Sequence, residues 1–233
     1  MTKTEFKEKC LLENIILSDE QIEQFEKYMH LLLEWNEKMN LTAITQEEEV
    51  WEKHFYDSII PFSKLDFSNM CDIGSGAGFP GIPVKIAFPN VQMTLVEPLQ
   101  KRCRFLNEVK ESLGLENLEI LNIRAEDLAK TKRECFDVVS ARAVAKLSIL
   151  LELCVPFVKK GKMMVALKGK NGHEELENAK KAIDTLGVEL MSEDTFLIDQ
   201  EAMRINLYFK KVKNTPIKYP RAYGQIKKKP LEG

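Results

Sequence analysis

The residues best placed to do chemistry stand in one run, Asp72-Ile73-Gly74-Ser75-Gly76-Ala77-Gly78-Phe79-Pro80-Gly81. Glycines let the main chain turn sharply and let a ligand approach the backbone. The free N–H groups at the start of a following helix attract negative charge. Gly76-x-Gly78-x-x-Gly81 satisfies the dinucleotide fingerprint, so the run alone does not separate NAD from S-adenosylmethionine. Glu97 sharpens the picture, because it ends the next apolar run, 23 residues after Gly74. An acidic side chain there accepts both ribose hydroxyl protons of an adenosine cofactor, whereas a basic one would point to NADP. Arg124-Ala125-Glu126-Asp127 is placed to flank an adenine ring, although helix N-terminal charge accounts for Glu126 and Asp127 equally well. Arg142, in Ser140-Ala141-Arg142-Ala143-Val144, ends another apolar run and is poised to meet a carboxylate or a phosphate, since a cation in apolar surroundings needs a partner. Lys168 ends a further run in the same way.

What is missing narrows the chemistry. There is no Asn/Asp-Pro-Pro-Tyr motif of amino-methylating enzymes and no Pro-Cys nucleophile. Tyr223-x-x-x-Lys227 has the spacing of a short-chain dehydrogenase pair, but it lies among Pro220, Gly224 and Pro230 and is not expected on a helix. Only His30, His54 and His173 are neutral-pH bases by default, and none is expected near the Gly-rich run. Cys10, Cys71, Cys103, Cys135 and Cys154 form neither a C-x-x-C pair nor a close pair with histidine. No structural zinc and no disulfide framework are therefore expected, and a reducing compartment is.

These side chains need a scaffold, and the pattern supplies one. Residues 1–57 read as helical, with capping boxes at Ser18/Gln21 and Thr45/Glu48. Between them Ile22, Phe25, Met29, Leu32, Trp35 and Met39 form a stripe expected to dock on the core, until Asn40-Leu41-Thr42 breaks it. From about residue 69 short apolar runs alternate with amphipathic segments. Strands are expected at Met70–Ile73, Val91–Val96, Leu118–Asn122, Phe136–Ala141, Lys162–Leu167, Val188–Met191 and Ile205–Lys211. Helices are expected up to about Phe88, over Gln100–Leu113 and Leu147–Val158, and as one long element over Gly172–Leu186. Alternation of this kind implies a mainly parallel sheet covered on both faces, a Rossmann-like α/β fold. The expected organisation is a helical N-terminal extension (1–57), a catalytic core (58–211) and an extended basic tail (212–233).

The 233 residues suit a soluble protein with one core, and no stretch approaches the roughly 20 apolar residues that cross a bilayer. A cytoplasmic location is expected. The net charge of −2 conceals asymmetry: residues 1–57 hold 6 Lys/Arg against 14 Asp/Glu, whereas residues 210–233 hold 8 against 1. Concentrated cations such as Lys227, Lys228 and Lys229 suit phosphate contacts, and a solvated tail is the plainer reading.

Taken together, Asn40-Leu41-Thr42-Ala43-Ile44, His54-Phe55-Tyr56-Asp57-Ser58, Asp72 to Pro83, Glu97-Pro98 with Lys101-Arg102, Arg124-Ala125-Glu126, Ser140 to Val144 and Tyr219-Pro220-Arg221 occur in an order that closely resembles the bacterial 16S ribosomal RNA guanine-N7 methyltransferase family, also called glucose-inhibited division protein B. The resemblance spans nearly the whole chain, with Lys53 before His54 where many relatives carry Arg. It implies a class I S-adenosylmethionine-dependent methyltransferase fold and N7-methylation of guanine 527, in that RNA's usual numbering. It also implies that Gly74, Phe79, Ala125, Glu126 and Arg142 contact S-adenosylmethionine. Lys168, Arg221 and the tail lysines would contact RNA. Guanine N7 carries a lone pair and no proton, so such a transfer needs alignment rather than a general base. The expected partner is 16S ribosomal RNA or the small subunit, including an assembly intermediate, and a monomer without metal or membrane attachment is expected. The alternatives are a methyltransferase for another RNA, a small molecule or a protein, an NAD-dependent oxidoreductase, and a non-catalytic RNA-binding module.

Overall fold

Seven strands form one sheet in the order β3-β2-β1-β4-β5-β7-β6 in a computed structural model that describes residues 1–198 and 202–233. By contacts the chain divides into two compact units. One is Met1–Ser68 with Ser75–Asn122, the other Asn69–Gly74 with Ile123–Gly233.

In the first unit α1 (Lys3–Leu12) and α2 (Asp19–Met39) both open on capping boxes. The Ser18 hydroxyl accepts the Gln21 N–H at 3.2 Å, and the Gln21 side chain accepts the Ser18 N–H at 2.8 Å. Ile22, Phe25, Met29 and Leu32 are buried as their spacing predicts, together with Tyr28. Asn40 ends α2 in the left-handed region at φ 50°. The Thr45/Glu48 box does not form. The three-residue α3 (Glu47–Glu49) starts at Gln46 without a side-chain cap and runs straight into a π-helix over Val50–Tyr56, followed by α4 (Asp57–Ile59) and a 3-10 turn (Ile60–Phe62). An aromatic cluster fastens these pieces. Phe6 lies 5.2 Å from Phe25 and 5.0 Å from Trp51, and Phe55 lies 5.0 Å from Phe25. Each such buried ring contributes about 1.5–3 kcal/mol. β2 (Gln92–Val96) and β3 (Leu118–Leu121) pair in parallel, with α5 (Gly81–Ala87) and α6 (Gln100–Leu113) packed on them.

In the second unit β1 (Asn69–Ile73), β4 (Phe136–Arg142) and β5 (Val158–Lys168) are parallel neighbours. β7 (Ala202–Lys211) then runs antiparallel between β5 and β6 (Val188–Ile198). The last three strands are longer than their apolar runs, and in β6 ladder pairing carries polar, exposed residues such as Ser192 and Glu193. α7 (Ala125–Leu128) and α8 (Leu147–Cys154) lie in this unit, with a 3-10 turn over Val155–Phe157. The expected long helix is two, α9 (Gly172–Asn178) and α10 (Lys180–Leu186), broken at Ala179. The C-terminal segment is not an extended tail. It forms α11 (Tyr223–Lys228), so Tyr223 and Lys227 do share a helix, and it buries Tyr219, Ile226 and Leu231. Lys211, fully buried, reaches Glu134 at 2.8 Å and the Val155 carbonyl at 3.1 Å. Burial pushes that ammonium below its ordinary pKa even with Glu134 opposing the shift.

Candidate functional site

In the first unit the Gly-rich turn runs from Ser75 into α5. The Phe79 N–H bonds to the Ser75 carbonyl at 3.1 Å and the Gly78 N–H to the same carbonyl at 2.7 Å. Glu97, only 2% exposed, directly follows β2 and faces this turn. Its Oε2 accepts the Gly76 N–H at 2.9 Å and its Oε1 accepts the Leu99 N–H at 2.8 Å. Arg102 stands 3.7 Å away. A carboxylate offers about four acceptor positions, so Glu97 braces the turn and keeps acceptor capacity for hydroxyl groups.

Phe79 is packed from behind. Its ring lies 4.3 Å from the His54 imidazole at an interplanar angle of 15° and 5.5 Å from Tyr28. The Tyr28 hydroxyl donates to the Ala77 carbonyl at 2.5 Å. The expectation that no histidine lies near the Gly-rich run is therefore corrected: His54 touches it. The π-helix carries the imidazole there, and no apolar periodicity announces a π-turn.

In the second unit Gly74 follows β1 directly, at φ +73°. A Cβ on Gly74 would lie 2.8 Å from Val144 Cγ2. Asp72, fully buried, accepts the Ser140 hydroxyl at 3.2 Å. Arg142 is half-buried at the end of β4. Ala143 follows it at φ 55°, a left-handed conformation that costs a non-glycine residue about 1–3 kcal/mol and re-aims the chain. Ala125 is buried at the first position of α7, and Glu126 and Asp127 complete that first turn. Asp127 is paired with Lys130 at 2.7 Å.

Two cations expected on RNA have partners inside the unit. Lys168 lies 2.7 Å from Glu175 and donates to the Ala145 carbonyl at 2.9 Å, while Glu175 also accepts the Leu147 N–H at 2.7 Å. Lys168 thus clamps the loop that follows Arg142. Arg221 donates from Nε and a terminal nitrogen to the two oxygens of Glu152, at 2.8 and 2.6 Å. Glu152 is fully buried, and a buried carboxylate without a cation is costly, so this guanidinium points inward. Lys227, Lys228 and Lys229 are exposed.

Among the described residues no group of three or more His, Cys, Asp or Glu could hold a metal ion, and no helix is long and apolar enough to cross a membrane. The five cysteines are unpaired. Burial pushes the Cys10 thiol up to about 12 and Cys71 and Cys154 well above the ordinary value, which keeps these sulfurs protonated.

A seven-stranded, mainly parallel sheet with a Gly-rich turn after β1 and an acid at the end of β2 defines a class I methyltransferase fold. The chain resembles M. jannaschii TYW2, solved in complex with AdoMet, with a TM-score of 0.57 at 15% identity over 73% of this chain and 80% of that one. A Precorrin-6y C5,15-methyltransferase from Geobacter metallireducens GS-15 matches with a TM-score of 0.50 at 14% identity over 74% and 91%. The family described as GidB, rRNA small subunit methyltransferase G, matches residues 21–203. Relatives named ribosomal RNA small subunit methyltransferase G are 50% identical in Lysinibacillus sphaericus and 48% identical in Bacillus subtilis, each over 100% of both chains. The chain belongs to the small subunit rRNA methyltransferase G family.

Proposed function

We propose that this protein transfers a methyl group from S-adenosylmethionine to N7 of a guanine in 16S ribosomal RNA, the guanine numbered 527 by the family resemblance. Family membership over the full chain length carries the reading. The residues present suit the cofactor. Glu97 retains acceptor capacity toward a ribose, and Gly74 turns the chain at φ +73°. Phe79, Ala125, Glu126 and Arg142 complete the proposed contact set. We assign the tail lysines 227–229, exposed on and beside α11, to phosphate contact. Residues 1–57 act as the helical extension, 58–211 as the catalytic core and 212–233 as the basic segment. The enzyme works in the cytoplasm as a monomer, on the small subunit or an assembly intermediate.

The bound cofactor supplies an electrophilic methyl group on a sulfonium. This chain has only to bind, orient and exclude water, because N7 presents its lone pair without losing a proton. The acceleration then comes from proximity and alignment, and Arg142, fixed by β4 and the kink at Ala143, is the side chain assigned to alignment.

The test is methyl transfer from isotopically labelled S-adenosylmethionine to small-subunit RNA, with mass spectrometry of the digested nucleosides. Label on guanine N7 is the expected result, and label on another atom overturns the assignment. Gly74→Val should abolish cofactor binding and lower the melting temperature, because its Cβ would meet Val144 at 2.8 Å. The single-turnover rate at saturating cofactor should stay flat across neutral pH, and a rising limb would mean that a general base takes part.

A further inference from the structure

The Gly-rich turn is held from its rear by a chain of contacts that starts in the helical extension. The Asn36 side chain on α2 accepts the Thr42 N–H at 2.8 Å, just past the left-handed break at Asn40. The Thr42 hydroxyl accepts the Ile44 N–H at 3.0 Å and lies 2.7 Å from His54 Nε2. The imidazole, 8% exposed, then lies flat against Phe79. Beside it the Tyr28 hydroxyl holds the Ala77 carbonyl, and Gly78, at φ +100°, leaves room for it: a Cβ there would meet that hydroxyl at 2.8 Å. The same five-residue turn is braced at Gly76 by Glu97.

A single-point aromatic contact only fills space. Here the ring plane is fixed at its far edge by a hydroxyl that itself accepts the Ile44 N–H, on a residue whose own N–H is held by Asn36. That arrangement transmits orientation, because rotating the imidazole breaks the Thr42 bond and lifts the ring from Phe79. We infer that His54 is a positioning residue for the cofactor turn, oriented by Thr42, and that the Thr42–His54–Phe79 chain sets the turn's geometry for S-adenosylmethionine. The inference rests on the cofactor reading of that turn. It gives the helical extension a part in cofactor affinity.

The experiment is calorimetric titration of the full-length protein with S-adenosylmethionine, together with thermal unfolding, for wild type, Thr42→Val, His54→Phe, His54→Ala and the double variant Thr42→Val/His54→Ala. One hydrogen bond and one aromatic contact together correspond to about a tenfold change in dissociation constant. His54→Ala should weaken binding by that factor, and His54→Phe, which keeps the flat contact, by clearly less. Thr42→Val should weaken binding when His54 is present and add nothing in its absence, because its effect passes through the ring. Unchanged affinity alongside a lowered melting temperature would make His54 a structural residue only and overturn the inference. Additive effects of the two changes would overturn the chain. A wild-type protein that shows no binding would instead defeat the cofactor reading itself, and Glu97→Ala serves as the control that separates the two failures. If His54→Ala does not fold, His54→Phe and Thr42→Val carry the comparison alone.

Discussion

The Gly-rich turn and the C-terminal segment each depend on a buried glutamate, and they neutralise it in opposite ways. Glu97 is surrounded by backbone N–H donors from Gly76 and Leu99, with Arg102 at 3.7 Å. Glu152 is covered by three donors from one residue, the N–H, Nε and a terminal nitrogen of Arg221. The first arrangement leaves acceptor capacity beside the Gly-rich turn. The second is a fully buried carboxylate gripped by a guanidinium, and it anchors the segment that carries α11. A buried acid held mainly by backbone N–H groups stays available to a ligand, whereas one gripped by a guanidinium is a structural tie.

The largest effect that tests this contrast falls on the closed pair. Arg221→Ala should lower unfolding free energy by about 3–5 kcal/mol, because it strands a buried charge. Chemical denaturation measures it, and adding Glu152→Leu should return much of the loss. A loss below about 1 kcal/mol would mean that the pair behaves like an exposed bridge. The next effect falls on the open acid. Glu97→Ala should weaken S-adenosylmethionine binding by about 1–3 kcal/mol, the usual result of removing one polar partner. Unchanged calorimetric affinity in a folded variant would remove Glu97 from the site. The smallest effect belongs to the exposed lysines. Replacing Lys227, Lys228 and Lys229 with Ala should weaken RNA binding and flatten its salt dependence by about 0.7–0.9 in slope per lost contact. Cofactor affinity should hold steady, and an unmoved salt slope would leave these lysines without a role on RNA.

The open half of the comparison is written locally. Glycines 74, 76 and 78 all adopt positive φ, and Glu97 needs only to end a strand to meet the turn, so spacing suffices to find it. The closed half is not local. Arg221 and Glu152 are 69 positions apart, and a Pro- and Lys-rich stretch gives no apolar period. One signal was nonetheless present. Glu152 is the lone charge in the apolar run Leu147–Cys154, and an acid there requires a cation from elsewhere. Lys168 raises the same question, since a cation at a strand end serves a ligand or a loop, and only Glu175 on α9 decides between them. His54 was hidden for a different reason. It shares the three- and four-residue spacing of the buried Val50, Trp51 and Phe55, but that spacing does not say that Phe79 of the Gly-rich turn lies against it. The first four strands fell where their apolar runs lie, while β5 starts four residues before its own. β6 and β7 extend beyond theirs, because hairpin pairing tolerates polar residues that no burial pattern predicts.

The position of β7 between β5 and β6 has a consequence for how the polypeptide is made. Synthesis delivers β6 first, and its ladder partner is a strand not yet translated. Until residues 202–211 emerge, β6 has no neighbour and β5 presents an open edge, the kind of surface that recruits other chains. A premature stop at residue 201 would leave Gly74, Glu97 and Arg142 all encoded. The product would nevertheless fail as a folding unit, and proteolysis rather than lost chemistry would be its fate.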